Sequence, residues 1–301
     1  MNFLALIIGL VVERTLTSLF HLREFRWLDG VFDAGLSRMR GWGHLATVLG
    51  AALICGILAA PIAIVSWALG GTLLDIPYFV FAVLVLLFSL GPRDLQSEVE
   101  DYCEAVAAND PEAIRRLSKE LTESNPSAEP EARSEEVQGA VFRQANNRIF
   151  GVVFWFAVLG PVGAGVFRIV DLMRRRTAYA ADRPDDEAGH PGAEPALQVL
   201  HGLLAWVPAR LLATGYILGG SFEHAVEDWR SFRRDCSGRF FEITPGLLAC
   251  VGRGAAGPPA ASSGAEGGDL RGAAAMALGG RTLWFIWCPV LAVLTLYNFL
   301  G

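Results

Sequence analysis

Residues Leu45–Leu69 carry no formal charge, and neither do Ile76–Leu90, Ile149–Phe167 or Thr282–Leu300. Uncharged apolar stretches of about 18 residues or more read as membrane-crossing helices. Inside a bilayer every backbone N–H and C=O must be satisfied within the chain, which leaves only helices or a closed barrel. Ile76–Leu90 is short for a span but wholly apolar, rich in Phe, Val and Leu. With 52% hydrophobic and 19% charged residues and a mean hydropathy of +0.38, the chain is too apolar for an ordinary soluble protein of 32.5 kDa. The expected fold class is all-α: a polytopic helical membrane protein with proline-broken helices and a small extramembrane helical layer.

The opening "MNFLALIIGLVVERTL" lacks a basic first segment and a small-residue cleavage site, and holds Glu13-Arg14 within its apolar run. It reads as a retained helix rather than a signal peptide. The expected organisation has five parts. Residues 1–91 hold N-terminal membrane helices and an amphipathic connector in which Phe25, Leu28, Phe32 and Leu36 recur every three or four positions. Such a connector suits a membrane surface. Residues 92–148 form a soluble acidic helical layer. Leu95, Val99, Cys103 and Val106 make one stripe there, and Asp110-Pro111 opens a second helix as N-cap and first helical residue. Residues 149–250 carry membrane segments with proline breaks and charged loops, 251–281 a flexible Gly/Ala/Pro linker, and 282–301 a last transmembrane helix.

If Ala196–Gly220 also spans, the loops 21–44, 92–148 and 221–281 share one side, with 4, 7 and 7 Lys/Arg. The positive-inside rule makes that side cytoplasmic and both termini external. The "RRR" of Arg174–Arg176 then falls on the opposite side, unless the fourth or fifth segment is re-entrant. The five scattered cysteines suit packing better than redox chemistry. A net charge of −6 without a basic stripe excludes nucleic acid as a partner. No P-loop, nucleophile-elbow or zincin motif is present, so the sequence declares no catalytic residue and no metal site.

Two apolar segments are interrupted in the same way: "FWFAVLGPVGAGVFRIVDLM" at Gly160-Pro161, and "LHGLLAWVPARLLATGYILGG" at Pro208. Proline removes a backbone donor and clashes with the preceding turn, so each segment is expected to kink or break. Ionisable residues follow each interruption: Arg168 and Asp171 after the first, Arg210 after the second. Without Arg210, Ala196–Phe222 would carry no formal charge. An arginine at bilayer depth costs at least about 2.5–3.5 kcal/mol. It is therefore expected to line a polar cavity, with Glu13 as its answering charge or with Glu13 and Arg14 paired to each other. Arg168, Asp171 and Arg174 could instead snorkel at a membrane surface. His201, in an apolar helix, reads as a core histidine. The expected ligand-binding residues are Glu13, Arg14, Arg168, Asp171 and Arg210, and a guanidinium fork suits phosphate or carboxylate.

"LIIGLVVERTL…WLD", the "AAND" helix pair, "FGVVFWFAVLGPVGAGVFRIVDLM" and "LAWVPARLLA", in this order up to about residue 235, resemble the AmpE family. Those are inner-membrane proteins associated with the AmpD amidase and with β-lactamase regulation. AmpE is in turn similar to the CbiB/CobD membrane ligases of cobalamin synthesis, which form an amide in an ATP-dependent reaction. Pro208–Arg210 match the ligases' "PAR" element, Asp171 and Arg168 their Asp-containing helix, and Glu13 their acidic residue in the first helix. His201-Gly202 stands where the ligases have an acidic pair, and "RIV" where they have Asn-Thr-Leu. Loss of carboxylates that hold magnesium-nucleotide argues against the ligase reaction.

The resemblance implies a multi-pass bacterial inner-membrane regulatory or sensory protein of cell-wall recycling, β-lactamase induction and hence antibiotic resistance. It would bind an anionic small molecule, a muropeptide-like fragment or a nucleotide, with a functional link to AmpD. No cofactor is expected, and an enzyme reading is the weaker one. Mg-ATP would enter only under the alternative, a corrinoid amide ligase; a transporter ranks third, on the paired broken helices alone.

Overall fold

The computed structural model describes residues 5–9, 26–39, 41–70, 76–90, 95–181, 193–235, 243–257, 267–290 and 293. Among them there is helix and no strand. The helices are α1 (Arg26–Arg38), α2 (His44–Leu69), α3 (Ile76–Leu90), α4 (Leu95–Ala107), α5 (Pro111–Thr122) and α6 (Pro130–Gln144). There follow α7 (Gly151–Ala181), α8 (Ala193–Gly219), α9 (Phe222–Asp235), α10 (Ile243–Ala256) and α11 (Gly267–Arg281). Four stretches of helix, beginning at His44, Ile76, Pro130 and Ala193, are long and apolar enough to cross a membrane. Of the expected span at Thr282–Leu300 the structure describes 282–290 and 293; its first part, Thr282–Trp287, is π-helical. The expected first helix is described only at 5–9, which is helical.

The chain forms two compact units. The first comprises Met1–Pro92 and Gly151–Ala205, the second Arg93–Phe150 and Trp206–Gly301. In the first, α2 is inverted relative to a soluble helix. Leu45, Leu49, Leu53 and Ile57 form an outward stripe at four-residue spacing, and Leu45 is 72% exposed. Thr47, Ala51, Cys55 and Ala59 form the buried stripe. Large apolar side chains outside and small ones inside is the arrangement of a helix solvated by lipid, where close backbone packing replaces the hydrophobic drive. The Cys55 thiol donates to the Val166 carbonyl of α7 at 3.7 Å.

The apolar side chains described on α1 and just past it pack into protein. Phe32, Leu36 and Met39 pack with Ala51, Cys55, Ile169, Val170, Met173 and Leu197 in one buried cluster. This packing corrects the membrane-surface reading for the half of that face the structure describes, Phe32 and Leu36; the side chains of Phe25 and Leu28 lie outside it. It also corrects the two-sided assignment of loops. Arg176 makes a fork with Asp33, Nε to Oδ1 at 3.1 Å and Nη2 to Oδ2 at 2.8 Å. Its Nη1 lies 3.7 Å from Asp29. The arginine run and the 21–44 connector therefore meet at one end of this unit. Counting basic residues by loop overlooked the aspartates that pair with them.

In the second unit α4, α5 and α6 pack as a helical group. Leu95, Val99, Tyr102, Leu117, Leu121, Val137 and Val141 share its core with residues of α8, α10 and α11. Each such side chain, fully buried, contributes about 1.5–3 kcal/mol relative to exposure. Asp110 caps α5, its Oδ1 accepting from the Glu112 and Ala113 amides at 3.1 Å, with Pro111 in the first turn. Both ends of the stretch expected to be a flexible linker are helical. α10 runs on to Ala256 and α11 begins at Gly267, while 258–266 lie outside the described residues. Gly254 lets α9 approach: a Cβ there would stand 2.9 Å from the His224 carbonyl.

Candidate functional site

The site in the first unit begins with the break in α7. Gly160 has φ 67° and ψ −153°, a conformation effectively reserved for glycine, and Pro161 follows it. The turn is tight. A Cβ on Gly163 would overlap the Trp155 carbonyl oxygen, eight residues back, whereas a straight helix separates such residues by about 12 Å. The expected break is therefore present.

Pro208 behaves differently. α8 continues through it without a non-helical residue. Proline at 208 leaves the Leu204 carbonyl without its helical donor. The Trp155 indole supplies the replacement, donating Nε1–H to that carbonyl at 3.0 Å. An indole on the broken helix thus satisfies the backbone of the unbroken one, as membrane-depth prolines require.

Beyond the break, spacing of three residues puts Arg168, Asp171 and Arg174 on one face of α7. Asp171 is fully buried and Arg168 nearly so, at 4% exposure. Arg174 Nη2 donates to Asp171 Oδ1 at 2.9 Å, and Arg168 Nη1 to Oδ2 at 3.3 Å. From α8, His201 Nε2 lies 3.6 Å from the same Oδ1, too far for a hydrogen bond but close enough for charge coupling. The Phe167 ring stands 5.6 Å from the imidazole and closes one side. One carboxylate is thus bridged by two guanidiniums beside a histidine, in a membrane-length helix. The three α7 groups are a buried network and do not snorkel.

Of the expected ligand-binding residues, the structure brings Arg168 and Asp171 together and adds Arg174 and His201. Glu13 and Arg14 lie outside the described residues. Arg210 belongs to the second unit and folds back on its own helix. Its Nη1 donates to the Trp206 carbonyl at 3.0 Å, and its guanidinium carbon lies 4.2 Å from the centroid of the Trp206 ring. Stacking on tryptophan with a backbone acceptor is how a half-exposed arginine satisfies itself.

A second buried ion pair was missed by sequence reasoning. Arg148 Nη1 lies 2.8 Å from Glu98 Oε2, both almost fully buried, and Arg148 Nε donates to Gln144 Oε1 at 3.0 Å. Gln144 in turn donates to the Leu121 carbonyl at 3.2 Å and to Glu123 at 2.8 Å. Arg148 sits in a π-helical segment, Ala145–Phe150, whose widened turn re-aims the side chain inward. The available signal was Glu98 at the edge of the apolar Leu95–Val99 stripe.

Lipid-facing helices, a glycine-proline break and a buried charge cluster define a polytopic membrane protein with a buried network of ionisable groups. The family described as "Regulatory signalling modulator protein AmpE" matches residues 1–247, and the chain belongs to that family. Two curated relatives are each named "Cobalamin biosynthesis protein CobD". That of Chromobacterium violaceum is 29% identical over 213 residues, 69% of this chain and 63% of the relative. That of Stutzerimonas stutzeri is 26% identical over 194 residues, 64% and 59%. The chain thus spans less than two thirds of the length of these relatives. No solved structure matches it.

Proposed function

We propose that the protein is a multi-pass bacterial inner-membrane regulator that senses an anionic small molecule through the Arg168–Asp171–Arg174–His201 cluster, in the service of cell-wall recycling and β-lactamase induction. The observation that carries this reading is the bridged Asp171, fully buried between two arginines. Buried ion pairs seldom increase stability over apolar packing of the same volume. Ionisable groups within membrane segments mark functional sites by default. A phosphate or carboxylate ligand would offer the guanidiniums the same acceptor geometry that Asp171 offers, so binding and release of the carboxylate are coupled. That exchange gives the cluster two charge arrangements, which is what a sensor needs. Membership of a family of regulatory signalling modulators supports the regulatory role. Arg210 and the pair Glu13-Arg14 are proposed to contact anions as well, each tested separately.

The experiment is an induction assay in cells carrying either the parent gene or Arg168→Gln. An altered β-lactamase response to inducer at unchanged membrane abundance is expected. A normal response in both the deletion and the variant would remove the regulatory reading. For ligand, the purified protein is titrated with nucleotides and anionic muropeptide fragments. Arg168→Gln should weaken the bound one by about 1–3 kcal/mol, and no binding of any would remove the anion reading.

The second reading, a corrinoid amide ligase using Mg-ATP, is favoured by the two relatives named for cobalamin biosynthesis. Rescue of a strain lacking that ligase would establish it. His201 beside Asp171, where the resembling ligases have an acidic residue, weighs against it.

A further inference from the structure

The helix α9 follows the membrane-length helix α8 after two residues, Gly220 and Ser221. It is thus the first element after the apolar segment. One side of α9, with Ala225, Asp228 and Phe232, packs on α10: the Cys250 thiol donates to the Asp228 carbonyl, and Phe232 lies against Gly246. The other side is unpartnered among the described residues. It carries Phe222, 60% exposed, and Trp229, 39% exposed. With them stand Arg230, Arg233 and Arg234, all exposed and in no ion pair or hydrogen bond among the described residues. An open depression of about 830 Å³ runs along this side from Phe222 to Arg234.

We propose that this side of α9 is a docking surface for anionic phospholipid, with Arg230, Arg233 and Arg234 on headgroup phosphates and Phe222 and Trp229 in the acyl boundary. The residue pattern is that of an interfacial amphipathic helix: Phe222, Val226 and Trp229 on one strip, Arg233 among them and Arg230 and Arg234 beside it. Arginines in a last helical turn also complement the helix dipole. That explains Arg233 and Arg234 but leaves two aromatic side chains exposed for no gain. Lipid accounts for both. Glu223 and Glu227 share the depression but occupy the N-terminal half, where the dipole favours carboxylates, and leave the anion-binding half basic.

The test uses the full-length protein in nanodiscs of phosphatidylglycerol and phosphatidylcholine in equal parts, followed by native mass spectrometry of the lipids that stay bound. The parent should retain phosphatidylglycerol selectively. Each basic residue at an anionic surface accounts for about fivefold in binding, so R230Q/R233Q/R234Q should lose selectivity by something on the order of 100-fold. The corresponding triple lysine variant keeps the charge and should keep most of the preference. Trp229→Ser should loosen both lipids equally. All positions are exposed, so the variants should melt with the parent; if the triple variant does not fold, R233Q alone should still show a several-fold loss. An unchanged preference in the glutamine variants overturns the proposal. So does displacement of the lipid by millimolar inorganic phosphate, which would make the site one for free anions, and so does a dimer that the glutamine variants dissolve.

Discussion

Asp171→Asn isolates the energetic content of the buried cluster. The substitution keeps shape and volume and removes one negative charge from between Arg174 at 2.9 Å and Arg168 at 3.3 Å. With Asp171 fully buried and Arg168 at 4% exposure, solvent cannot take over the lost role. Removing one partner of a buried ion pair costs about 3–5 kcal/mol because the remaining charge is stranded, and here two guanidiniums lean on the same carboxylate. For a unit of this size each kcal/mol moves the midpoint by about 2–4 °C, so the variant should melt at least roughly 6 °C below the parent. The assay is thermal unfolding in detergent followed by helicity, with Arg174→Gln alongside. Arg174 is more exposed at 15%, and Asp171 keeps Arg168 without it, so the Arg174 variant should lose less. The triple variant R168M/D171L/R174M, which replaces charges by packing, should recover most of the loss. An Asp171→Asn protein that melts within a degree of the parent would refute the reasoning, and so would a triple variant less stable than Asp171→Asn.

Three further outcomes are expected. Gly160→Ala forces an L residue to φ 67° and ψ −153° and should cost about 1–3 kcal/mol in the same melt, whereas Gly56→Ala, which meets open space inside α2, should not destabilise. Trp155→Phe strands the Leu204 carbonyl and should cost about 1–3 kcal/mol; in a Pro208→Ala background, where residue 208 regains its own N–H, the same change should cost clearly less, and equal costs in the two backgrounds would contradict the assignment. Asp110→Ala removes the acceptor for two α5 amides and should lower stability by about 1 kcal/mol, with faster hydrogen exchange confined to the first turn of that helix.

Much of the architecture was legible in the chain, for local reasons. Stretches without charge had to be helices in lipid, and α2, α3 and the first half of α7 lie where those stretches run. The Gly160-Pro161 pair combines the residue that tolerates positive φ with the residue that ends the preceding helix, so the break needed no partner to be foreseen. Asp110-Pro111 likewise carries its own cap geometry. The Arg168–Asp171 pairing follows from three-residue spacing on one helix face. Its burial and the approach of His201 do not, because α8 supplies that residue from 30 positions further along the sequence.

What the sequence alone determined, then, is where the chain is helical, which segments are membrane-length, and where one of them breaks. Tertiary structure decided which charges meet. Arg176 finds Asp33 across 143 residues, Trp155 replaces the donor that Pro208 lacks across 49, and Glu98 and Arg148 are buried as a pair. Propensity and hydropathy act over a few residues, and they set the helices. An unsatisfied carbonyl or a buried charge is costly wherever its partner lies, so the pairing is settled only when the helices pack.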